Sequence, residues 1–161
     1  MLLAIVSDTH CSNARRIPAS CLERLRDADL ILHAGDFTEP TVLEELRALG
    51  PELVAVHGNV DTAELRRSLP RERVVEAAGA RIGLIHDAGP ARGRLERMRA
   101  RFPEADAVVF GHSHMPLHER RDDFQIFNPG SPTQRRRAPQ HTMGLARVEG
   151  RRLRFELVRL D

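Results

Sequence analysis

The sequence predicts an α/β fold of two β-sheets packed face to face with helices outside, and three observations lead there. Short apolar runs alternate with amphipathic stretches through the front of the chain, in the order β-α-β-α-β. Beyond Gly111 the pattern changes to short strands joined by turns, which reads as an antiparallel run. The third observation is chemical: five motifs bearing metal-type ligands directly follow apolar, strand-like runs. They are Asp8-Thr9-His10 after LLAIV, Gly35-Asp36 after LILHA, Gly58-Asn59-Val60-Asp61 after LVAVH, His86 closing RIGLIH, and Gly111-His112-Ser113-His114 after AVVF. In an open α/β sheet, ligands bind outside the carboxyl ends of the strands. Residues distant in sequence are therefore expected to gather at one sheet edge.

Residues 2–6 have the unbroken apolar character of a buried parallel strand, followed by a loop through Asn13. Leu22, Leu25 and Ala28 recur at helical spacing, with Pro18 suited to the first turn. Residues 30–34 form the second strand. Thr41 precedes a helix whose stripe is Val42, Leu43, Leu46 and Leu49, stopped by Gly50 and Pro51. Residues 53–57 form the third strand. Segments 73–77 and 80–86, split by Ala78-Gly79, read as a hairpin. Leu95, Met98 and Phe102 mark a helix ending before Pro103, and 107–110 is again a strand. Residues 117–121, 124–128, 143–148 and 152–159 complete the back of the chain. No repeat, linker or low-complexity stretch divides it, so residues 1–161 form a single domain.

Composition narrows the function classes. The formal net charge is +2, all 25 basic residues are Arg, and Trp and Tyr are absent with only six Phe. That leaves little material for stacking nucleic-acid bases. No apolar run is long enough to cross a bilayer, and MLLAIV lacks the basic region and cleavage site of a signal peptide. Cys11 and Cys21 form no C-x-x-C pair and suggest a reducing, cytoplasmic setting. Arg135-Arg136-Arg137 is the one compact basic cluster. It reads first as a solvated loop, but its place after Asn128-Pro129-Gly130-Ser131-Pro132 keeps a phosphate-binding role open.

The strand-end motifs supply two carboxylates, one carboxamide and four imidazoles. That set suits two first-row divalent ions, and two such ions a few ångströms apart imply phosphoester chemistry. Asp8 and His10 are two apart, so on extended chain both face the same way. Asp36 lies centrally, and its two oxygens suit it to bridge two ions. Asn59 offers a neutral oxygen where a third negative charge would over-neutralise the metals. Gly111 permits a tight turn before the imidazoles of His112 and His114. His33, His57, His118 and His141 read as structural or surface residues, and Cys11 as a buried inert thiol.

From Ser7-Asp8-Thr9-His10 through Asn128-Pro129-Gly130-Ser131-Pro132 the chain resembles the calcineurin-like metallophosphoesterases, most closely their small single-domain bacterial and archaeal phosphodiesterases. The resemblance covers essentially the whole chain, with the motifs in family order. It implies a four-layer α/β/β/α sandwich of two mixed sheets flanked by helices. It further implies that Asp8, His10, Asp36 and His114 hold one metal while Asp36, Asn59, His86 and His112 hold the other. Asp36 would bridge together with a hydroxide that attacks phosphorus in line, which puts Asp36, Asn59 and His112 at the catalytic centre. Two divalent ions against Asp8, Asp36 and hydroxide leave roughly one excess positive charge to attract a phosphate oxyanion. Manganese is the first expectation, with iron, cobalt, nickel and zinc as alternatives.

Two positions depart from the family pattern. Many members carry a histidine after the Gly-Asn pair to protonate the leaving oxygen; here Val60 stands there, with Asp61 beside it available to orient a histidine placed at that position. The family commonly has His-Gly at the fourth motif, whereas this chain has His86-Asp87, where Asp87 either orients His86 from behind or faces solvent. The leading expectation is a dinuclear-metal phosphodiesterase acting on a small or nucleotide-like diester. Its rivals are a catalytically silent binding module of the same fold, like the retromer subunit built on it, and a nuclease on polymeric nucleic acid. Neither a membrane nor nucleic acid is the expected partner, and a homo-oligomer is left open.

Overall fold

A computed structural model describes residues 1–160. Two five-stranded sheets stack on each other. The first has the order β10-β9-β1-β2-β3 and the second β4-β5-β6-β8-β7. In chain order the elements are β1 (Leu2–Val6), α1 (Ala19–Arg26), β2 (Leu30–His33), α2 (Pro40–Arg47), β3 (Glu52–Ala55), α3 (Ala63–Ser68), β4 (Glu72–Ala77), β5 (Ala80–Ile85), α4 (Arg94–Arg101), β6 (Ala107–Val109), β7 (Leu117–Arg121), β8 (Phe124–Asn128), β9 (Thr142–Glu149) and β10 (Arg152–Arg159).

Three apolar clusters account for the layers. Leu3, Ile5, Leu32 and Val54 of the first sheet meet Ile82, Leu84, Val109 and Phe127 of the second in the middle of the molecule. Ala4, Val6 and Ile31 point the opposite way, towards Leu25 of α1, Leu46 of α2 and Leu65 of α3. Val108 and Ile126 lie under Leu95 and Met98 of α4. The period-two alternation of each strand thus feeds two cores at once, which is why β1 and β6 are apolar along their whole length. The result is the four-layer α/β/β/α sandwich.

The back of the chain differs from a simple antiparallel run. β8 pairs antiparallel with β7 but parallel with β6, and β9 returns to the first sheet antiparallel to β1. Both sheets are therefore mixed. The short helix α3 is an element that hydropathy does not announce, since only Leu65 within it is buried. Thr62 starts it by accepting a hydrogen bond from the Leu65 N–H. Helix α2 begins at Pro40, one residue before Thr41, because proline fits the first turn where no amide is needed.

Strand register sets the site. Val6 pairs with His33 and His33 with Ala55, so β1, β2 and β3 end level. In the second sheet Leu84 pairs with Val109 and Val109 with Phe127. All the ligand-bearing motifs consequently leave the same end of the sandwich.

Candidate metal centre

The loops at that end are stitched together by their backbones. Asp8 N–H donates to the Gly35 carbonyl (2.9 Å), His10 N–H to that of Asp36 (3.1 Å), and Gly111 N–H to that of His86 (2.9 Å). Two further bonds join the sheets, from His112 N–H to Asp8 Oδ2 (3.0 Å) and from Ser131 Oγ to the Asp8 carbonyl (2.7 Å). Gly111 is required by this proximity, because a Cβ there would overlap Ser7 Oγ and Asp8 Oδ2. At Gly58 a Cβ would overlap the Asp36 carboxylate in the same way.

These contacts hold Asp8, His10, Asp36, His112 and His114 with φ between +37° and +71°. Non-glycine residues in this region cost roughly 1–3 kcal/mol each and concentrate at functional sites. Asp8 and His10 do converge, but through left-handed backbone and not along an extended strand as their spacing suggests. The cause is their pairing with the Gly35 and Asp36 carbonyls, which curls the chain around the end of β2.

All seven ligand-type side chains meet. Asp8 Oδ1 lies 3.3 Å from His114 Nε2, 3.6 Å from His10 Nε2 and 4.0 Å from His86 Nε2. Asp36 Oδ2 lies 3.2 Å from His86 Nε2 and 3.5 Å from His10 Nε2. Asn59 Oδ1 is 3.0 Å from both His86 Nε2 and His112 Nδ1. Two groups emerge, Asp8-His10-His114 and Asp8-Asp36-His86, the ligand atoms within each lying inside 4.8 Å of one another. Asn59 and His112 extend the second group towards solvent, with His112 exposed at the rim.

The outer faces of these ligands are committed to the protein. Asp8 Oδ2 accepts from Ser7 Oγ at 2.7 Å, and Asp36 Oδ1 from the Val60 N–H at 3.0 Å. Asp36 therefore presents one oxygen, Oδ2, to both sets of imidazoles, whereas its two oxygens suggest one for each. His86 Nδ1 donates to the Ala34 carbonyl (2.7 Å) and His114 Nδ1 to that of Gln134 (2.5 Å), which leaves each Nε2 facing inward. Asp87 plays no part in orienting His86; it turns outward and accepts from the Gly89 N–H at 2.8 Å.

Asp61 belongs to the strand-end motif but has a different task from its neighbours. Its carboxylate accepts from the N–H groups of Gly58 (2.7 Å), Thr38 (2.8 Å) and Asp36 (3.0 Å). It clamps the loops after β2 and β3 together, so it is not available to orient a histidine at position 60. Asn128 holds the Gly111 carbonyl at 2.9 Å, and Thr133 Oγ1 donates to the Thr9 carbonyl at 2.5 Å. The Asn128–Pro132 motif thus positions ligand loops from behind. Arg135 is spent on the Ala138 and Pro139 carbonyls (3.3 Å each), while Arg136 and Arg137 are exposed.

Among the other histidines, His33 is buried, stacks on Phe37 at 3.5 Å and faces Thr9 Oγ1 at 3.1 Å. Its Nδ1 accepts the Gly35 N–H at 3.1 Å, and burial pushes its pKa down to about 3. His118 packs edge-on to Phe127 and Phe155. Cys11 is buried and its thiol pKa is pushed up to about 11, chiefly by that burial.

The electrostatics fit cations. Burial pushes the Asp8 carboxyl up, yet His10 and His114, with His86 and Ser7, outweigh it and hold the group well below the usual carboxylate range. Asp36 is likewise lowered, its burial outweighed by His86 and the Val60 N–H. His86 is raised, because Asp36 and Asp8 outweigh its desolvation. One observation separates this from an ordinary ion-pair cluster: Asp8 Oδ1 is buried and has no hydrogen-bond partner. A buried, bare carboxylate oxygen is costly unless a cation occupies the space before it. Nitrogen and oxygen donors of this mixture fit first-row divalent ions.

The raised pKa of His86 has a measurable consequence. The charged His86–Asp36 pair contributes stability to the metal-free protein that is fully present below about pH 6.5. That contribution is lost as pH rises through the raised folded value. A metal ligated by His86 must displace this proton. Titrating Mn²⁺ into the metal-free protein at about pH 6, below the ordinary histidine value, in two buffers of different ionisation enthalpy, should reveal proton release, with affinity rising up to about tenfold per pH unit. Identical heats in the two buffers would contradict the role given to His86.

The chain is similar to known proteins in sequence and in fold. A family model described as the calcineurin-like phosphoesterase superfamily domain matches residues 1–151. A probable metallophosphoesterase from Methanothermobacter thermautotrophicus is 39% identical over 162 residues, covering 99% of this chain and 92% of that protein. A phosphodiesterase from Methanocaldococcus jannaschii is 28% identical, covering 81% of this chain and 83% of its own. Among solved structures, an archaeal phosphodiesterase superposes with a TM-score of 0.76 at 25% identity, covering 98% of this chain and 100% of that one. Vps29 from Entamoeba histolytica in complex with Zn²⁺ gives 0.78 at 22% identity, with both chains covered in full.

Proposed function

The chain belongs to the calcineurin-like phosphoesterase superfamily, and from that footing we propose that it is a dinuclear-metal phosphodiesterase acting on a small or nucleotide-like diester. In this reading Asp8, His10, Asp36 and His114 hold one ion, and Asp36, Asn59, His86 and His112 hold the other. The observation that carries it is the bare, buried Asp8 Oδ1 among three imidazoles. Divalent ions bound here supply Lewis acidity towards a phosphoryl oxygen and acidify a coordinated water to a nucleophile near neutral pH.

The protein's own contribution is positional. Ser7, the His112 amide and the Val60 amide occupy the outer carboxylate oxygens, so Asp8 and Asp36 each present one oxygen in a fixed direction. The Ala34 and Gln134 carbonyls fix the tautomers of His86 and His114, so neither ring must rotate or lose its outer proton to act as a ligand. His112, exposed at the rim, stands where substrate enters. Val60, 43% exposed beside this opening, offers no proton to a leaving oxygen.

The second reading, a binding module on the same fold, draws on the likeness to Vps29 chains, which at 22% identity concerns the fold alone. A metal-reconstituted screen with Mn, Fe, Co, Ni and Zn separates the two. The phosphodiesterase reading expects bis(p-nitrophenyl) phosphate to be hydrolysed more than about tenfold faster than p-nitrophenyl phosphate or polymeric nucleic acid. A preference for the monoester would overturn the substrate class, and inactivity with every metal would favour the binding module.

A further inference from the structure

Beside the second ligand group opens a cavity of about 240 Å³, whose wall includes Asn59 and His86 together with His57, Arg66, Arg71 and Asp87. Resting on the phosphodiesterase reading, we propose that this cavity is an anion subsite. The substrate it fits is a diester carrying a second phosphate about one sugar unit from the scissile phosphorus, with Arg66 and Arg71 as its clamp.

The subsite is built by two tethers. Arg66 Nη2 donates to the Asn59 carbonyl, which anchors one guanidinium nitrogen directly on the backbone of a ligand-type residue. The His57 N–H donates to the Pro70 carbonyl at 3.0 Å, which draws Arg71, the next residue, to the same opening. Helix α3 spans the gap between these tethers and gives Arg66 a rigid base. Arg71 has no hydrogen-bond or ion-pair partner among the described residues, so its five donors are free to take up an oxyanion. The single carboxylate in the wall, Asp87, is already occupied in part by the Gly89 N–H. Two guanidinium groups against one partly engaged carboxylate leave the pocket positive.

Size then selects the ligand. The cavity would hold about eight waters at ~30 Å³ each, enough for a phosphate on a sugar-sized unit but below the ~300 Å³ at which larger ligand sites begin. No Phe lines it. Because Asn59 and His86 belong to both the cavity and the candidate metal centre, a group bound there would lie directly beside the residues that would hold a metal.

Two substrates with the same leaving group isolate the effect: thymidine 5′-(p-nitrophenyl phosphate) and its 3′-phosphorylated form. The Mn-loaded wild type is expected to show a KM at least about tenfold lower for the phosphorylated form, the effect of one or more charge-assisted hydrogen bonds. Arg66→Gln with Arg71→Gln should erase most of that difference, and the Lys versions should restore part of it. Independently of turnover, the Nε–H signals of Arg66 and Arg71 in the metal-free protein should shift on adding inorganic phosphate. If wild type hydrolyses both substrates with equal KM and the arginine signals stay still, the subsite is overturned while the phosphodiesterase stands. If neither substrate is cleaved but the two signals shift, the phosphodiesterase reading fails and the anion subsite stands.

Discussion

Asp36→Asn should yield a folded protein that no longer retains two metals and hydrolyses a diester on the order of 10³-fold more slowly, or worse. The substitution is close in shape, and an asparagine oxygen can still accept the Val60 N–H that now bonds Asp36 Oδ1. Its NH₂ group would then point where Oδ2 faces His10 and His86, at 3.5 and 3.2 Å. A donor replaces a lone pair, and the negative charge between the two groups disappears. Both metal positions lose a ligand in one step, and the mutual repulsion of two cations goes uncompensated. Elemental analysis beside kcat/KM checks it, with circular dichroism confirming the fold. Full metal content with normal turnover would remove Asp36 from the centre.

The second large effect concerns the leaving group. General acid catalysis contributes about 10²–10⁴-fold, and most where the departing alkoxide is poor. The side chain at position 60 is apolar and exposed. Aryl diesters, whose leaving groups depart unprotonated, should therefore be cleaved about 10²-fold or more faster than alkyl diesters. Val60→His should improve an alkyl diester more than an aryl one. The gain is expected to be partial, because Asp61 is committed to three backbone N–H groups and leaves the new imidazole without an orienting carboxylate. Rates for both substrates in both proteins, with metal content equalised, decide it. Wild-type rates independent of leaving-group pKa would show that another residue donates the proton, or that departure is not limiting.

Much of the fold and of the ligand cluster is legible in the amino-acid sequence, for identifiable reasons. Strands such as β1 and β6 are buried on both faces and so write themselves as continuous apolar runs. Ligand residues at their ends are conspicuous because imidazoles and carboxylates rarely follow such runs by chance. Strand pairing is less legible. Nothing in 124–128 encodes that it lies parallel to β6, nor in 142–149 that it crosses to β1, since alternation records burial and not partner. Helix α3 escapes because six residues with one buried leucine have no measurable period, although Thr62 as a cap and Glu64 in the first turn are available as signals. The same limit hides the work of Asp61, Ser7, Asn128 and Thr133. They touch no ligand atom facing the cavity: Asp61, Asn128 and Thr133 fix backbone and Ser7 holds the outer oxygen of Asp8, which only three-dimensional contacts reveal.

The left-handed conformations at Asp8, His10, Asp36, His112 and His114 are equally invisible in the sequence, since none of these residues is glycine. They tie the fold to its chemistry. Packing and hydrogen bonds hold five ligand-type residues in unfavourable backbone geometry, and the return is a cluster of lone pairs converging on one end of the sandwich.

In the proposed function this cluster holds two ions around Asp36. Anomalous X-ray diffraction from Mn-loaded crystals tests it most directly. The expected result is two peaks per chain about 3.5–4 Å apart, one on each side of Asp36 Oδ2. A single peak, or two peaks that do not share Asp36, would contradict it.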